Sequence, residues 1–439
     1  MVLFCFESVM FMCVKKYAEI IILMLFVSFC SFACQKRGTN AEEIVIPSTV
    51  PPQSDHQILS LNEIWHDVDD NTLSVTTNTR LSVFSFPPKI IYIKWDADWW
   101  EIGGNTVHSL CCDPLCSHTS KTCLNVLASP SNAIYRYGEN LYFLGGGSEA
   151  VGLKFIQYSL TDAKVKVIAE YDTGGQIIGR LGNYIYYYTL RYDEPENNGY
   201  TKSWRKIYRY SVRTGETVYL GERENGTDMT YMTGAGERLW WRNSMHHLVS
   251  ANANLANVRT EVNTRIQIYA LTGDSVFYLT DAPKDGNAGE LHVKNLESGE
   301  EKTLFTDVTW FACDGESLWY SLYDPAEGFS WDIRNNATGK MELHPITVKH
   351  GNRIYRISLE SLEKSGGKPK GQRVVALDAL TDEGIWLGEI FTVVDGKLFA
   401  QYRTGYEENG KHGMKSGMFA IDPETGEYMT ISEEMVFNS

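Results

Sequence analysis

The sequence predicts an all-β fold built from repeats, and three observations carry the prediction. Segment 207–220 alternates apolar and polar side chains, breaks at Thr214-Gly215-Glu216 and resumes, the pattern of a β-hairpin whose strands each bury one face. Nearly the same text returns at 291–304 around Ser298-Gly299-Glu300 and at 418–431 around Thr425-Gly426-Glu427. A second tile, a glycine turn followed by an aromatic strand, recurs between these hairpins. Aromatic residues make up 12% of the chain, with 25 Tyr and 11 Trp, and flat rings suit the pleated surface of strands.

In chain order the first element is a targeting segment. Lys15-Lys16 precede an apolar run from Ile20 to Ala33, which has the length of a signal-peptide core and is short for a membrane span. Residues 1–33 are expected to be a lipoprotein-type signal peptide, with Met10 or Met12 as alternative starts. Cys34 is the expected lipidation site, and 34–57, with three prolines and little periodicity, the expected tether. Ser31 and Phe32 depart from the usual lipoprotein pattern, so a plainly secreted protein and an uncleaved anchor remain open.

Residues 58–439 read as a single repeat fold. The glycine tile stands at Gly138-Glu139, Gly182-Asn183, Gly236-Glu237, Gly273-Asp274, Gly315-Glu316 and Asp395-Gly396. Pro87-Pro88-Lys89 before Ile90-Ile91-Tyr92 gives a seventh, degenerate copy. Each is followed by a strand such as Leu141-Tyr142-Phe143 or Leu239-Trp240-Trp241, and glycine supplies the positive φ that a tight hairpin needs. The copies stand about 37 to 54 residues apart, with one interval of about 80 that holds an insertion. Four strands per period predict a β-propeller of seven four-stranded blades, in preference to a pair of β-sandwiches.

If the glycine turn joins the first and second strands of a blade, the Thr-Gly-Glu turn joins the third and fourth. Both short turns then lie on one face. The longer segments 192–202, 281–289, 324–350 and 406–416 fall on the other, as does the blade-to-blade connection 111–123. Long loops gathered at one end of a rigid scaffold usually carry binding. Tyr192, Tyr200, Phe329, Trp331 and Tyr406 are the aromatic candidates on that face, able to stack on sugar rings or a partner protein, or merely to cover their own loops.

Cys111, Cys116, His118 and Cys123 form the sharpest local cluster. Thiolates and imidazole around the Asp113-Pro114 turn suit a tetrahedral Zn²⁺ site, although the spacing is that of no standard finger. One or two disulfides in an exported protein are the alternative, and so are unpaired thiols. No reading makes the cluster catalytic. Cys313 reads as a small buried hydrophobe.

The formal charge of −15 without basic clusters argues against nucleic acid as a partner. Metalloprotease, serine-hydrolase, phosphate-loop and EF-hand signatures are missing from the sequence. Acidic pairs such as Asp69-Asp70 and Glu194 with Glu196 read as solvated turn residues.

The Cys-x-Asp-Pro-Leu-Cys-x-His stretch, Cys111 through His118 with a later cysteine, resembles that of a group of propeller lipoproteins from Gram-positive bacteria. The Leu-Tyr-Phe strands and Tyr-Arg-Tyr-Ser hairpins are similar to WD40-like or TolB-like propellers. The resemblance implies a lipid-anchored propeller at the cell surface and no particular activity.

The expectation is therefore a monomeric binding module on the outer face of the cytoplasmic membrane, reaching the membrane through its N-terminal lipid only. Its ligand would be a polysaccharide, a cell-wall component or a surface protein. The rivals are a propeller glycosidase or lyase with carboxylates at the channel mouth, and a scaffold for a neighbouring surface protein. Where carboxylates would have to converge, the first strands instead offer Ile178, Tyr231, Tyr269, Phe311 and Phe391.

Overall fold

The computed structural model describes residues 82–437 apart from 87–89, 96–97, 104–105, 112–114, 118–122, 130, 146–152, 172–173, 195–200, 225–231, 283–287, 324–327, 335–340, 348–352, 366–368, 395 and 409–410. The expected leader and tether, including Cys34, lie outside the described residues, as do His118 and Tyr200.

Among the described residues the chain is mostly strand, and pairing gives six sheets, of four, four, eight, seven, two and four strands. The eight- and seven-stranded sheets each divide into two antiparallel runs, so that, the two-stranded sheet apart, the order runs as seven consecutive units. Unit one is β1–β4 (Ser82–Phe86, Ile90–Trp95, Asp98–Gly103, Thr106–Ser109). Unit two is β5–β8 (Ile134–Tyr137, Asn140–Gly145, Leu153–Ser159, Val165–Tyr171). Unit three is β9–β12 (Gly175–Leu181, Tyr184–Tyr192, Ser203–Ser211, Thr217–Glu224), and unit four β13–β16 (Met232–Ala235, Arg238–Arg242, Leu248–Asn252, Arg259–Val262). Unit five is β17–β19 (Ile266–Thr272, Ser275–Thr280, Gly289–Asn295) with the first half of β20 (Glu301–Cys313).

The second half of β20 opens unit six, which continues with β21 (Ser317–Leu322), β24 (Ile354–Ser358) and β25 (Gln372–Arg373). Between β21 and β24, β22 (Gly328–Arg334) and β23 (Met341–Thr347) pair only with each other. Unit seven is β26–β29 (Ile385–Val394, Lys397–Glu408, Lys411–Ile421, Tyr428–Phe437). Three short helices, α1 (Leu124–Ala128), α2 (Leu359–Lys364) and α3 (Asp378–Asp382), complete the elements used below. No helix among the described residues is long and apolar enough to cross a membrane.

The turns follow from their residues. The six glycines expected between first and second strands all have positive φ, from 51° at Gly182 and Gly273 to 90° at Gly315. Gly215, Gly299 and Gly426, at the third-to-fourth turns, have φ of 74° to 77°. These three turns share one hydrogen-bond pattern. The Ser211, Asn295 and Asp422 N–H groups donate to the carbonyls of Glu216, Glu300 and Glu427, each at 2.8 Å. The two kinds of turn are also joined. Leu160, Val212, Leu296 and Leu359 donate to the carbonyls of Glu139, Asn183, Asp274 and Glu316 at 2.7–2.9 Å. Both turns of a unit therefore share one end of its sheet, and the second-to-third connections occupy the other.

The strands carry runs of aromatic residues because their sheets are buried on both faces, as strand side chains alternate between faces. Tyr187 belongs to a core shared by units two and three, whereas its neighbour Tyr186 belongs to one shared by three and four. Trp241 and Trp240 divide likewise between the three–four and four–five cores. Phe311 and Trp310 divide between the five–six and six–seven cores. Five such apolar cores thus lie between successive sheets from unit two to unit seven.

Two junctions are tighter than the rest. β9 pairs in parallel with β13, joining units three and four edge to edge through Met232↔Gly179 and Thr233↔Arg180. β20 serves units five and six at once, and it bends at Asp307, a non-glycine residue with φ of 59°. At the other end of the order, β1 lies beside both β5 and β26.

Candidate thiol centre and loop face

Cys111, Cys116 and Cys123 converge. Their Sγ atoms lie within 4.8 Å of one another, and none is in a disulfide. Cys111 follows Ser109 and buried Leu110 at the end of β4, so unit one fixes it. Cys123 is buried at the N-terminus of α1, in extended backbone with φ −65° and ψ 129°, and its carbonyl accepts from Leu127 N–H at 2.9 Å. Between them Leu115 stands 92% exposed.

A tetrahedral Zn²⁺ with Zn–S bonds of about 2.3 Å would hold its sulfurs about 3.8 Å apart, close to the observed span. The three thiols could therefore hold a thiophilic metal ion. The sequence pointed to Cys111, Cys116 and Cys123 together, and the structure brings all three together. The fourth expected ligand, His118, is one of the residues outside the description.

Of the aromatic candidates on the loop face, Tyr192 ends β10 with 55% of its surface exposed. Phe329 and Trp331 occupy alternate positions of β22, opposite Ile346 and His344 of β23. Tyr406 lies in β27. The stretch 406–416, expected as a loop, is instead the far end of a long β27–β28 hairpin paired from Leu398↔Ile421 to Glu408↔Lys411. The expected loop 324–350 likewise contains the β22–β23 hairpin. The first is a continuation of the unit's own ladder and the second a separate two-stranded sheet, and the polar, glycine-containing text of 405–413 (Gly405, Gly410, Gly413) hid the strand ends.

Around Tyr192 the structure supplies residues that sequence reasoning missed. Trp204 Nε1 donates to Asp193 Oδ2 at 2.7 Å, and Asp193 N–H donates to the Lys202 carbonyl at 2.8 Å. Arg191 pairs with Asp193 and with Glu222 at 3.2 Å, and its guanidinium lies 5.5 Å from the centre of the Trp204 ring. The Trp204 N–H, and after it Arg191, hold the Asp193 carboxyl below its ordinary value. This lattice closes the base of loop 193–202. A second lattice on the same end joins units four and five. Asp281 accepts from Arg265 at 2.8 Å and lies 3.8 Å from His246, which has a left-handed φ of 64°. Nothing in the local text of His246 marks a partner 35 positions away; only the pairing of units brings them together.

Cys313 is 2% exposed in β20, and burial pushes its thiol up to about 11. It is a core residue, as expected.

No family model matches the chain, and no curated protein matches it. Among solved structures it is similar to an uncharacterized protein from Listeria monocytogenes, at 12% identity and a TM-score of 0.37, covering 68% of this chain and 82% of that one. It is similar to TolB from Acinetobacter baumannii at 11% identity and 0.32, covering 63% and 64%. It is also similar to an acylaminoacyl peptidase from Pyrococcus horikoshii at 9% and 0.41, covering 84% and 54%. At these scores the fold rests on the strand pairing above.

Proposed function

We propose that the seven units close into a TolB-like β-propeller that acts as a surface binding module. The observation that carries the reading is the pattern of burial: an apolar core between each successive pair of sheets from unit two to unit seven, so that units three to six are covered on both faces by their sequence neighbours, with β1 beside β5 and β26. Face-to-face sheets in a single series, whose first member also meets the last, suit radial repetition and do not suit a pair of sandwiches.

On this reading the ligand sits at the end bearing the longer connections, where Tyr192, Tyr200, Phe329, Trp331 and Tyr406 offer ring surfaces to a polysaccharide, a cell-wall component or a surface protein. Lipid on Cys34 would hold the module outside the cytoplasmic membrane, as a monomer. The thiols at 111, 116 and 123, with His118, would hold a structural Zn²⁺.

The test is retention of the leaderless protein on a panel of purified polysaccharides and peptidoglycan, with released products monitored. Saturable retention that drops about tenfold in Trp331→Ala, with no product, is the expected outcome, since a lost stacking contact of about 1–1.5 kcal/mol has that effect. Product release would overturn the binding module in favour of a glycosidase or lyase. Failure to bind any of these ligands would leave the scaffold reading.

A further inference from the structure

The thiol centre sits where two units meet: one end continues unit one, and the other starts the helix packed between units one and two. Cys111 continues from β4, the outer strand of unit one, through Leu110, which is buried in the core of units two and three. Cys123 starts α1, which packs against β3 of unit one and β6 of unit two. The approach of α1 to unit two is close: a Cβ added to Gly145 on β6 would stand 2.3 Å from the Leu127 carbonyl oxygen. Leu124 and Ala128 of α1 fill the same apolar core as Phe143 and Phe155.

Unit one shares no strand pair with a neighbour among the described residues. Units three and four share a parallel strand pair, and units five and six share β20. Unit one, by contrast, consists only of β1–β4 and unit seven only of β26–β29, so among the described residues no strand is exchanged between the two ends of the series.

We infer that Cys111, Cys116 and Cys123 form a metal-dependent clasp: one thiophilic ion, Zn²⁺, bound by the three thiolates fastens unit one to unit two. This rests on the zinc reading above and adds to it a mechanical role. With the ion bound, the end of β4 and the start of α1 are tied to one point. Without it, unit one is free to part from α1 while units two to seven keep their sheets and cores.

The experiment uses the leaderless protein, stripped of metal under reducing conditions and then titrated with Zn²⁺ or Co²⁺. Metal content, Co²⁺ absorption and free-thiol count report loading, and hydrogen exchange resolved by segment reports the clasp. The expected result is one ion per chain, an intense sulfur-to-cobalt charge-transfer band, and slower exchange confined to β1–β4, α1 and β5–β6. At metal concentrations about 100 times Kd, openings that require release of the ion become about 100-fold rarer.

Cys116→Ser should abolish the band and the protection, and leave exchange in units three to seven unchanged. One ion bound with no change in exchange over β1–β6 would leave the zinc site standing and overturn the clasp. No ion bound, with two thiols lost to a disulfide, would overturn both. Global unfolding without metal would also overturn the clasp as a local device, and Cys111→Ala and Cys123→Ala variants kept folded separate that outcome from a failed preparation.

Discussion

Single residues at the third-to-fourth turns show how the tile works. The Asn295 side chain accepts from the N–H groups of Glu297 and Ser298 at 3.0 and 2.7 Å, and Asp422 accepts from Glu424 and Thr425 at 2.9 and 3.3 Å. Ser298 and Thr425 hydroxyls accept from Glu300 and Glu427, each at 3.2 Å. The recurring polar text is therefore a set of backbone caps, which is why it repeats when the apolar residues around it vary. Unit two lacks that text: Ser159 N–H still bonds the Lys164 carbonyl at 2.9 Å, but Ala163 takes the left-handed position with φ of 56°. Sequence reading missed this turn because the glycine that marks the others is absent. Ala163→Gly should relieve the strain of a Cβ there and raise stability by about 0.5–1 kcal/mol, seen as a higher urea midpoint at unchanged slope.

Elements were legible where a turn punctuates them and illegible where a strand runs on. The glycine turns announced first and second strands in six units, because no other residue takes that backbone at low cost. The β9–β13 junction was not legible. There Gly179 and Gly234 sit inside strands, and a Cβ at either would stand 2.4 Å from a backbone oxygen, that of Met232 or Arg180. Glycine within a strand can equally mark a bulge, so only the pairing of two distant strands reveals the close approach. Gly179→Ala should cost about 1–3 kcal/mol by overpacking, whereas alanine at Gly405, which has no neighbour within 4 Å, should change little; urea unfolding of the two variants compares them. The loop-face lattices around Asp193 and Asp281 were hidden for the same reason, since their members come from different strands or units.

The whole molecule is a stack of aromatic interfaces, and its response to alkali follows. Burial pushes Tyr269 and Tyr320 up to about 12, and the same cause raises Tyr135, Tyr186 and Tyr187 well above the ordinary phenol value. A phenol whose folded pKa exceeds its unfolded value supports the fold fully below the unfolded pKa of about 10, and that support is lost as pH climbs toward the folded value. Stability should therefore hold to about pH 10 and fall above it, with the buried phenols ionising together as the chain unfolds. Phenolate absorbance rising in step with loss of circular dichroism would bear this out, and a gradual rise without unfolding would contradict it. The all-β repeat was written in the spacing of the turns, but the burial of sheets on both faces was not, because the alternating text of the hairpin tile predicts strands with one buried face. The thiol cluster was legible in its ligands and not in its place between units, because spacing along a chain does not say which sheets its ends belong to.

The bend at Asp307 gives the series a grain. Some junctions have connecting residues to spare, as between β4 and β5 or between β25 and β26, so the chain there can lengthen or shorten without touching a ladder. Between units five and six there is no connector: β20 pairs with β19 up to Val308 and with β21 from Val308 onward. A duplication or deletion of one unit could be spliced cleanly at the loose junctions. At Asp307 it would tear two ladders at once, so units five and six are expected to be inherited as a pair.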